Sequence, residues 1–400
     1  DDFTDALGRS LSLASVRTAI ACVQATNAAA FAYGAVYGAE PEYADAHPDL
    51  VLSDEDGRRI SLAELFYIMN IAPDSPWTAM IVEEFAAAVR ALDFDGIHLD
   101  QYGFPKTALT AGGERVDLAE HFPPLIDAAR AAVVAVKPDA GVIFNAVENW
   151  PIETVAGTTQ DAVYIEVWPP YEAYQDLREL IRDGKRLGGD KQVILAAYLT
   201  PFLDAPHAPE SEAAALLATA VIAASGGFHL LLGERDGILC DPYYPKYATA
   251  RPEFVPTLRA YSDFLVRYEE WFVAPDIVDW DDDGSLPFTA ENVTTDPRAG
   301  SVWAITRRKP GVRIVHLINL TDQANIAWNA PHTPPQPCHG IALTFRNLPP
   351  VDRALVISPD IDHGRALPVQ MVHQDKTIRL TVPRLDVWTT VLLVQNDAAS

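Results

Sequence analysis

Two carboxylates stand at the ends of apolar segments that have the character of buried strands. Asp100 closes the run GIHLD of residues 96–100, and Glu166 interrupts the run AVYIEV of residues 162–167. A carboxylate inside a buried strand is costly unless it is hydrogen-bonded or functional. In a (β/α) barrel these two strands would be two apart, and the two groups could face each other across its mouth. Paired carboxylates in a sugar site hydrolyse glycosidic bonds; for each carboxylate alone, a helix cap or a salt bridge is the alternative.

The other residues near the predicted strand ends are of types that bind sugars. Aromatic rings offer flat apolar faces, and amides and hydroxyls suit the polar rim of a pyranose. His98 lies on the same side of its strand as Asp100 because alternate residues share a face. The candidate substrate-binding residues are Tyr33, Asn70, His98, Gln101, Tyr102, Asn145, Trp168, Tyr198 and Glu234.

Structural roles remain open for several of these candidates. His98 can equally be a hydrogen-bonded structural histidine, and Trp168 can pack under its loop. Glu234 precedes Arg235, so an ion pair is the alternative to a substrate contact. Asn145 is expected to bind a sugar hydroxyl near Asp100.

Short apolar runs alternate with amphipathic helical stretches over the first three quarters of the chain. Strands that are apolar throughout indicate a parallel sheet buried on both faces, and helical crossovers favour a (β/α) barrel. A barrel closes with eight strands, so we expect the first strand to lie before residue 1. An open doubly wound sheet is the alternative. No glycine-rich turn, which would support that fold, follows the early predicted strands. The seven predicted strands span residues 28–39, 65–70, 95–100, 141–146, 162–167, 193–198 and 228–232.

The composition changes near residue 272, and short alternating runs separated by turn residues follow. This pattern predicts an all-β antiparallel sandwich. We therefore predict a barrel domain over residues 1–272 and a β-domain over residues 273–400. Trp303, Trp328 and Trp388 are expected in the core of the β-domain, with a sugar-binding surface as the alternative. The acidic run of residues 279–283 is expected to be a solvated linker rather than a calcium site.

Composition excludes several classes of function. With 30 Lys and Arg against 55 Asp and Glu, the formal net charge is −25. Nucleic acid and anionic membranes would be repelled, so neither is expected as a partner. Three scattered cysteines do not make a disulfide framework or a zinc site. The sequence predicts no cofactor and no bound metal.

Several segments together resemble glycoside hydrolase family 66, which contains dextranases and cycloisomaltooligosaccharide glucanotransferases. Residues 94–103 (FDGIHLDQYG) resemble its fourth-strand motif, and residues 163–169 (VYIEVWP) resemble its acid/base strand. Further similar segments cover residues 7–9, 32–39, 226–234, 261–268 and 315–320.

The resemblance implies an α-1,6-glucan substrate, such as dextran or isomaltooligosaccharides, and a retaining mechanism. Asp100 would be the nucleophile and Glu166 the general acid/base. The family's aromatic-Asp-Trp motif on the first strand has no counterpart here. Residues 198–210 are too short for the sugar-binding insert of the glucanotransferases, which favours an endo-dextranase.

The alternatives are a cyclising glucanotransferase, another retaining α-glycosidase and a non-catalytic glucan-binding fragment. An extracellular location is expected because a polymer of this kind is too large to enter a cell.

Overall fold

The computed structural model describes residues 2–4, 8–242, 247–280 and 287–395. Leu7 and residues 281–283 of the acidic run, which entered the sequence predictions, lie outside these ranges. The chain forms two compact units. The first comprises residues 1–166 and 183–193, and the second comprises residues 167–182 and 194–400. The predicted domain boundary after residue 272 falls within the second unit and stays a prediction.

The helices correspond closely to the amphipathic stretches of the sequence. Helix Leu118–Val136 begins at Asp117, whose carboxylate accepts a hydrogen bond from the backbone N–H of Ala119. Within the described residues, none of the helices is long and apolar enough to cross a membrane. The α-helices are Leu13–Gln24, Pro41–Ala46, Pro76–Leu92, Leu118–Val136, Ile152–Val155, Tyr174–Gly188, Pro201–Asp204, Pro209–Ala224, Val255–Arg267 and Glu269–Phe272, with 3-10 turns at Pro48–Leu50 and Asp362–Gly364.

The strands of the chain fall into parallel and antiparallel groups. Up to residue 196 they are Asp2–Thr4, Ser10–Ser12, Phe31–Ala35, Gly38–Ala39, Ser61–Leu62, Phe66–Ile68, Gly96–Asp100, Thr107–Leu109, Arg115–Asp117, Gly141–Val147, Ala162–Glu166 and Gln192–Ala196. Beyond it they are Phe228–His229, Gly237–Ile238, Ala248–Thr249, Val278–Asp279, Phe288–Thr289, Val293–Thr294, Val302–Lys309, Val312–Asn319, Cys338–Arg346, Arg353–Ile357, Leu367–Val369, Val372–Gln374, Thr377–Leu385 and Trp388–Val394.

A parallel sheet forms the centre of the first unit. Its strands lie in the order Phe31–Ala35, Gly96–Asp100, Gly141–Val147 and Ala162–Glu166. Successive side chains of a strand point to opposite faces. One face, with Ile97, Leu99, Val142 and Phe144 among its residues, packs into a buried apolar cluster.

Helices cover this apolar face of the sheet. Val89 of helix Pro76–Leu92 and Phe122 of helix Leu118–Val136 belong to the same cluster. Trp77 adds a polar tie, because its indole N–H donates to the carbonyl of Val36 over 3.0 Å. The opposite face of the sheet carries the polar residues of the candidate site.

The predicted strand over residues 65–70 is not part of the parallel sheet, and this prediction was wrong. Phe66–Ile68 pairs antiparallel with Gly38–Ala39 and with Ser61–Leu62. Ala63 and Glu64 adopt positive φ angles of 50° and 57°, which close a tight turn before the strand. This turn reverses the chain, so Phe66–Ile68 pairs with the strand that directly precedes it, Ser61–Leu62. The apolar run alone could not distinguish this local pairing from a crossover strand.

The second unit contains a parallel pair of its own. Ile194 and Leu195 pair with Phe228 and His229. The strand at Phe228–His229 is shorter than the predicted segment of residues 228–232. Helix Pro209–Ala224 precedes it and is buried along most of its length, as its alanine-rich sequence allows. The parallel strands fit the predicted α/β class; the closed eight-stranded barrel and its missing first strand stay predictions.

The C-terminal part of the second unit consists of two largely antiparallel sheets. One has the strand order Val278–Asp279, Val302–Lys309, Val312–Asn319, Trp388–Val394, Arg353–Ile357 and Leu367–Val369. The other has the order Phe288–Thr289, Cys338–Arg346, Thr377–Leu385 and Val372–Gln374. Alternate residues of both sheets, such as Val315 and Leu343, share one apolar core. The antiparallel sheets fit the prediction from the alternating sequence.

The acidic run at residue 279 begins in an ion-pair cluster of the second unit. Asp279 lies 3.4 Å from an Nη of Arg178 and 3.0 Å from Nε of Arg182. Arg307, which is buried, lies 3.7 Å from the other oxygen of Asp279. Burial lowers the pKa of Arg307 to about 10, while the charge of Asp279 opposes that shift. Asp279 thus pairs with arginines where a solvated linker was expected.

Candidate active site

Strand register places the polar residues of the first unit on one face of the parallel sheet. Tyr33 lies opposite His98 and Ala35 lies opposite Asp100. Ile143 also pairs with His98, so Asn145, two residues further on, lies level with Asp100. Asn145 pairs in turn with Tyr164, and Glu166 lies two residues beyond Tyr164. The alternation of a strand gives these side chains a common face.

One amide joins the two predicted catalytic carboxylates. Asn145 Nδ2 donates to Asp100 Oδ1 and to Glu166 Oε2, each over 2.7 Å. The two acceptor oxygens are therefore separated by at most twice this distance, about 5.4 Å. Glu166 is 8% exposed and Asn145 is 4% exposed, so the bridge is screened from water. The structure thus brings Asp100, Asn145 and Glu166 together.

Tyr33 completes the hydrogen bonding of Asp100. Its hydroxyl donates to Asp100 Oδ2 over 2.7 Å, although the tyrosine side chain itself is largely exposed. Both oxygens of Asp100 thus accept a hydrogen bond from a neutral donor.

His98 and Tyr164 form an aromatic floor on the same face. Their rings contact edge to face with centroids 4.6 Å apart, and Tyr33 lies 6.4 Å from the His98 ring. Burial lowers the pKa of His98, and the charge of Asp100 opposes this only in part. His98 is consequently neutral at neutral pH. Sequence reasoning missed Tyr164, although its position two residues before Glu166 put it on the same face.

Gln101 and Tyr102 turn away from solvent into the loop after the strand. Gln101 is buried, and its Nε2 donates to the carbonyls of Asn145 and Trp150, each over 3.2 Å. Its Oε1 accepts from the backbone N–H of Gly103 over 2.6 Å. The amide therefore holds the loop and leaves no group over for a sugar, which corrects the expectation of a direct contact.

Tyr102 packs in the same loop. Its ring contacts that of Tyr37 edge to face at 5.3 Å. Burial raises the pKa of Tyr102, and the charge of Asp100 raises it further, so the phenol stays protonated. Gly38 leaves room for this phenol, because a Cβ there would lie 2.3 Å from the Tyr102 oxygen.

Asn70 does not follow a strand of the parallel sheet. Its side-chain oxygen accepts a hydrogen bond from the backbone N–H of Ala72 over 3.0 Å, which caps a local turn. The reason is the antiparallel pairing of Phe66–Ile68, described above. Asn70 was expected to bind sugar because it would end a parallel strand. It does not end one, so this reason for a sugar contact is lost.

The remaining candidates belong to the second unit. Trp168 and Tyr198 line a cavity of about 430 Å³ in that unit. Trp168 is 37% exposed, whereas Tyr198 is buried. Glu234 lies in an exposed turn, in which the N–H of Gly237 donates to the Glu234 carbonyl over 2.9 Å. The structure thus places Trp168 and Tyr198 together and Glu234 elsewhere.

Comparison with known proteins identifies relatives of the whole chain. The family model described as "Glycosyl hydrolase family 66" matches residues 1–392. A cycloisomaltooligosaccharide glucanotransferase from Niallia circulans is 22% identical over 545 aligned residues, covering 99% of this chain and 56% of the relative. The chain thus spans about half the length of the curated relatives it matches.

Solved structures show the same fold. A Paenibacillus sp. cycloisomaltooligosaccharide glucanotransferase, complexed with cycloisomaltoheptaose, superposes with a TM-score of 0.90 at 21% identity, covering 98% of this chain and 77% of that one. An α-amylase from Geobacillus thermoleovorans, complexed with acarbose, superposes with a TM-score of 0.61 at 11% identity, covering 96% and 81% of the two chains. The chain has the α/β fold of these carbohydrate-active enzymes.

Proposed function

Because the chain belongs to glycosyl hydrolase family 66, we propose that it cleaves internal α-1,6-glucosidic bonds of dextran with retention of anomeric configuration. The observation that carries this proposal is the shared amide donor. Asp100 Oδ1 and Glu166 Oε2 lie at most about 5.4 Å apart, since Asn145 Nδ2 is 2.7 Å from each. Retaining glycosidases hold their carboxyl groups roughly 5–5.5 Å apart, against roughly 6.5–9.5 Å in inverting enzymes.

In the first step Asp100 attacks the anomeric carbon, and Glu166 gives its proton to the departing glycosidic oxygen. The glucosyl–oxygen bond breaks as the ester to Asp100 forms. In the second step Glu166 takes a proton from water, whose oxygen attacks the anomeric carbon and releases Asp100. Tyr33 and Asn145 donate hydrogen bonds to Asp100. These hydrogen bonds stabilise the negative charge that returns to Asp100 as it leaves.

Cyclising transfer is the second candidate, because a sugar hydroxyl can replace water in the second step. The names of the curated relatives favour it. Two observations favour hydrolysis. The alignment with the first relative runs over 545 positions, so more than a hundred of them lie opposite gaps in this 400-residue chain. Between strand Gln192–Ala196 and helix Pro209–Ala224 the described chain has only the short helix Pro201–Asp204.

Digestion of dextran tests the proposal. We expect linear isomaltooligosaccharides by mass spectrometry, with the α-anomer appearing first by NMR. Cyclic products would establish the transferase, and a β-anomer formed first would overturn retention. Binding of dextran without any product would favour a non-catalytic glucan-binding role. We further propose that the chain acts outside the cell, where such polymers occur.

Variants of the two carboxylates test the assignment of roles. We expect Asp100→Asn and Glu166→Gln each to lower kcat on dextran by at least about 10³-fold, because each removes a participant in the covalent step. The melting temperature serves as the control for folding. Near-normal turnover in either folded variant would show that the assignment is wrong.

A further inference from the structure

The second unit contains a cavity that the two carboxylates do not explain. Its volume is about 430 Å³, within the range of roughly 300–1,000 Å³ that is usual for small-ligand sites. Its wall comes from four stretches of the sequence. Three of them contain Trp168, Tyr198 with Thr200, and Asp241, and the fourth is a loop between two strands of the antiparallel sheets, with Trp328 and Asn329.

Hydrogen bonds fasten this loop, residues 320–337, to the segment of residues 171–174. The backbone N–H of Tyr174 donates to the carbonyl of Ile326 over 2.9 Å. The backbone N–H of Trp328 donates to the backbone carbonyl of Glu172 over 3.0 Å. The indole N–H of Trp328 donates to the carbonyl of Tyr171 over 2.7 Å. Trp328 is 3% exposed, so both its ring and its polar atom are fixed. The loop is therefore an ordered part of the wall.

Asn329 is oriented within the cavity wall by its neighbour. Its Oδ1 accepts hydrogen bonds from the backbone N–H and the hydroxyl of Thr200, over 2.9 and 3.0 Å. Because an amide is planar and carries its oxygen and nitrogen on opposite sides, the NH₂ group of Asn329 points away from Thr200. A hydrogen-bond donor is thereby presented in a fixed direction at low entropic cost.

The lining of the cavity suits a neutral ring compound with hydroxyl groups. Trp168 is 37% exposed, which leaves an apolar ring face in contact with water unless a ligand covers it. Asp241 and Glu172 add carboxylates to the wall, so an anionic ligand would be repelled. A pyranose satisfies both conditions, since its axial hydrogens stack on an indole and its hydroxyls reach amides and carboxylates.

We propose that this cavity binds a glucosyl unit of the α-glucan and that loop 320–337 of the antiparallel sheets supplies part of its wall. The proposal rests on the proposed function for the identity of the sugar. It assigns a recognition role to Asn329 and to Trp328; the sequence predicted Trp328 in the core of the β-domain, with a sugar-binding surface as the alternative. Trp168 supplies the stacking surface and Asn329 the directed donor.

Binding to a catalytically silent chain tests the cavity separately from turnover. Isothermal titration of isomaltotriose is carried out on Asp100→Asn, alone and combined with Trp168→Ala, Asn329→Ala or Trp271→Ala. Trp271 is a partly buried tryptophan of the same unit that does not line the cavity, so it is the matched control. We expect Kd to rise about tenfold or more with each cavity variant and to stay within twofold with Trp271→Ala.

Two results would overturn the inference. One is an unchanged Kd in both cavity variants, and the other is an equal rise in all three. The chain with Asp100 intact is assayed on dextran in parallel. Turnover with an unchanged Kd would contradict the cavity assignment alone. Absence of turnover, with isomaltotriose still bound and weakened by both cavity variants, would contradict the proposed reaction alone.

Discussion

At the scale of single residues, Asn145 is central to the proposed chemistry. Its NH₂ group donates to both carboxylates, and its Oδ1 has no hydrogen-bond partner among the described residues. If the Asn145 amide were flipped, its oxygen would face both carboxylate oxygens and be repelled. The two carboxylates therefore fix the orientation of the amide. The same side chain therefore sets both the spacing of the carboxylates and their mutual electrostatic influence.

Replacing Asn145 separates these two effects. Asn145→Ala removes a hydrogen bond to each carboxylate, each worth about 1.5–3 kcal/mol for a charged partner, so we expect kcat to fall at least about tenfold. Asn145→Asp adds a negative charge that opposes loss of the proton from the general acid. The basic limb of the pH–kcat profile should therefore move to higher pH. Profiles measured between pH 4 and 9 check both expectations.

Tyr33→Phe is the matched control for this shift. It removes the hydrogen bond to Asp100 Oδ2 and introduces no charge. We expect lower kcat with the basic limb unchanged. A purely structural role for Asn145 would leave the limb in place in Asn145→Asp as well.

Sequence alone could predict that Asp100 and Glu166 lie close together, but not how each neighbouring side chain is oriented. Asp100 and Glu166 were recognisable because burying a carboxylate in an apolar strand is costly unless the group is hydrogen-bonded or functional. Gln101 follows Asp100 directly, yet the loop turns its amide inward to three backbone groups. The direction of a side chain after a strand end depends on the loop conformation, which periodicity does not determine.

At the scale of elements, the parallel sheet requires glycine where two strands approach each other closely. A Cβ on Gly96 would lie 2.3 Å from the carbonyl oxygen of Gly141 and 2.6 Å from the Phe31 ring. The oxygen belongs to the neighbouring strand and cannot move independently of the ladder. Sequence periodicity gives no sign of this contact, because it arises only once the two strands are paired.

We expect Gly96→Ala to destabilise the chain by about 1–3 kcal/mol, the usual cost of overpacking a core. The free energy of unfolding in urea measures this. Gly113→Ala is not a suitable control, because Gly113 has a φ of 78°. Gly157→Ala is suitable, because a Cβ there meets nothing within 4 Å. Equal stability of the two variants would contradict the close approach.

The parallel pair of the second unit introduces a pH dependence. His229 Nε2 faces the carbonyl of Ala197 at 3.1 Å, and Nδ1 faces the hydroxyl of Thr219 at 2.9 Å. This pairing fits a neutral ring with its proton on Nε2. Burial lowers the pKa of His229 to about 4. In the unfolded chain the ring takes up a proton below about pH 6.5.

The folded state therefore has its full stability above about pH 6.5 and loses it as the pH falls toward 4. This single group contributes a slope of up to about 1.4 kcal/mol per pH unit. We expect His229→Gln to reduce the slope of unfolding free energy between pH 6.5 and 4.5. His207→Gln, at an exposed histidine, should leave the slope unchanged. Identical slopes in all three proteins would contradict the buried neutral state.

The alternation of elements was predictable, whereas the membership of one strand was not. The apolar runs that end at Asp100 and Glu166 became strands of the parallel sheet as expected. Residues 65–70 have the same apolar character but pair locally, because the turn at Ala63 and Glu64 returns the chain. Neither residue is a typical turn former, so the sequence carried little signal for it.

At the scale of the whole molecule, the net charge of −25 is the dominant property. Like charges on one folded chain repel one another, and unfolding relieves that repulsion. Salt screens the repulsion over a distance of roughly 10 Å at 0.1 M. We expect the melting temperature to rise by several degrees between 0.02 and 0.5 M NaCl. A flat or falling melting temperature would show that local ion pairs, such as those of Asp279, outweigh the overall charge.

The attachment of loop 320–337 to residues 171–174 has a consequence for how such a protein can evolve. Recombination can take residues 171–174 from one ancestor and loop 320–337 from another. The two backbone hydrogen bonds between these segments would then have to form between parts that did not evolve together. The two segments are then expected to be inherited together, and selection for a different ligand of the proposed cavity would act on both. A directed-evolution library for new specificity should accordingly diversify positions 168, 171 and 328 jointly.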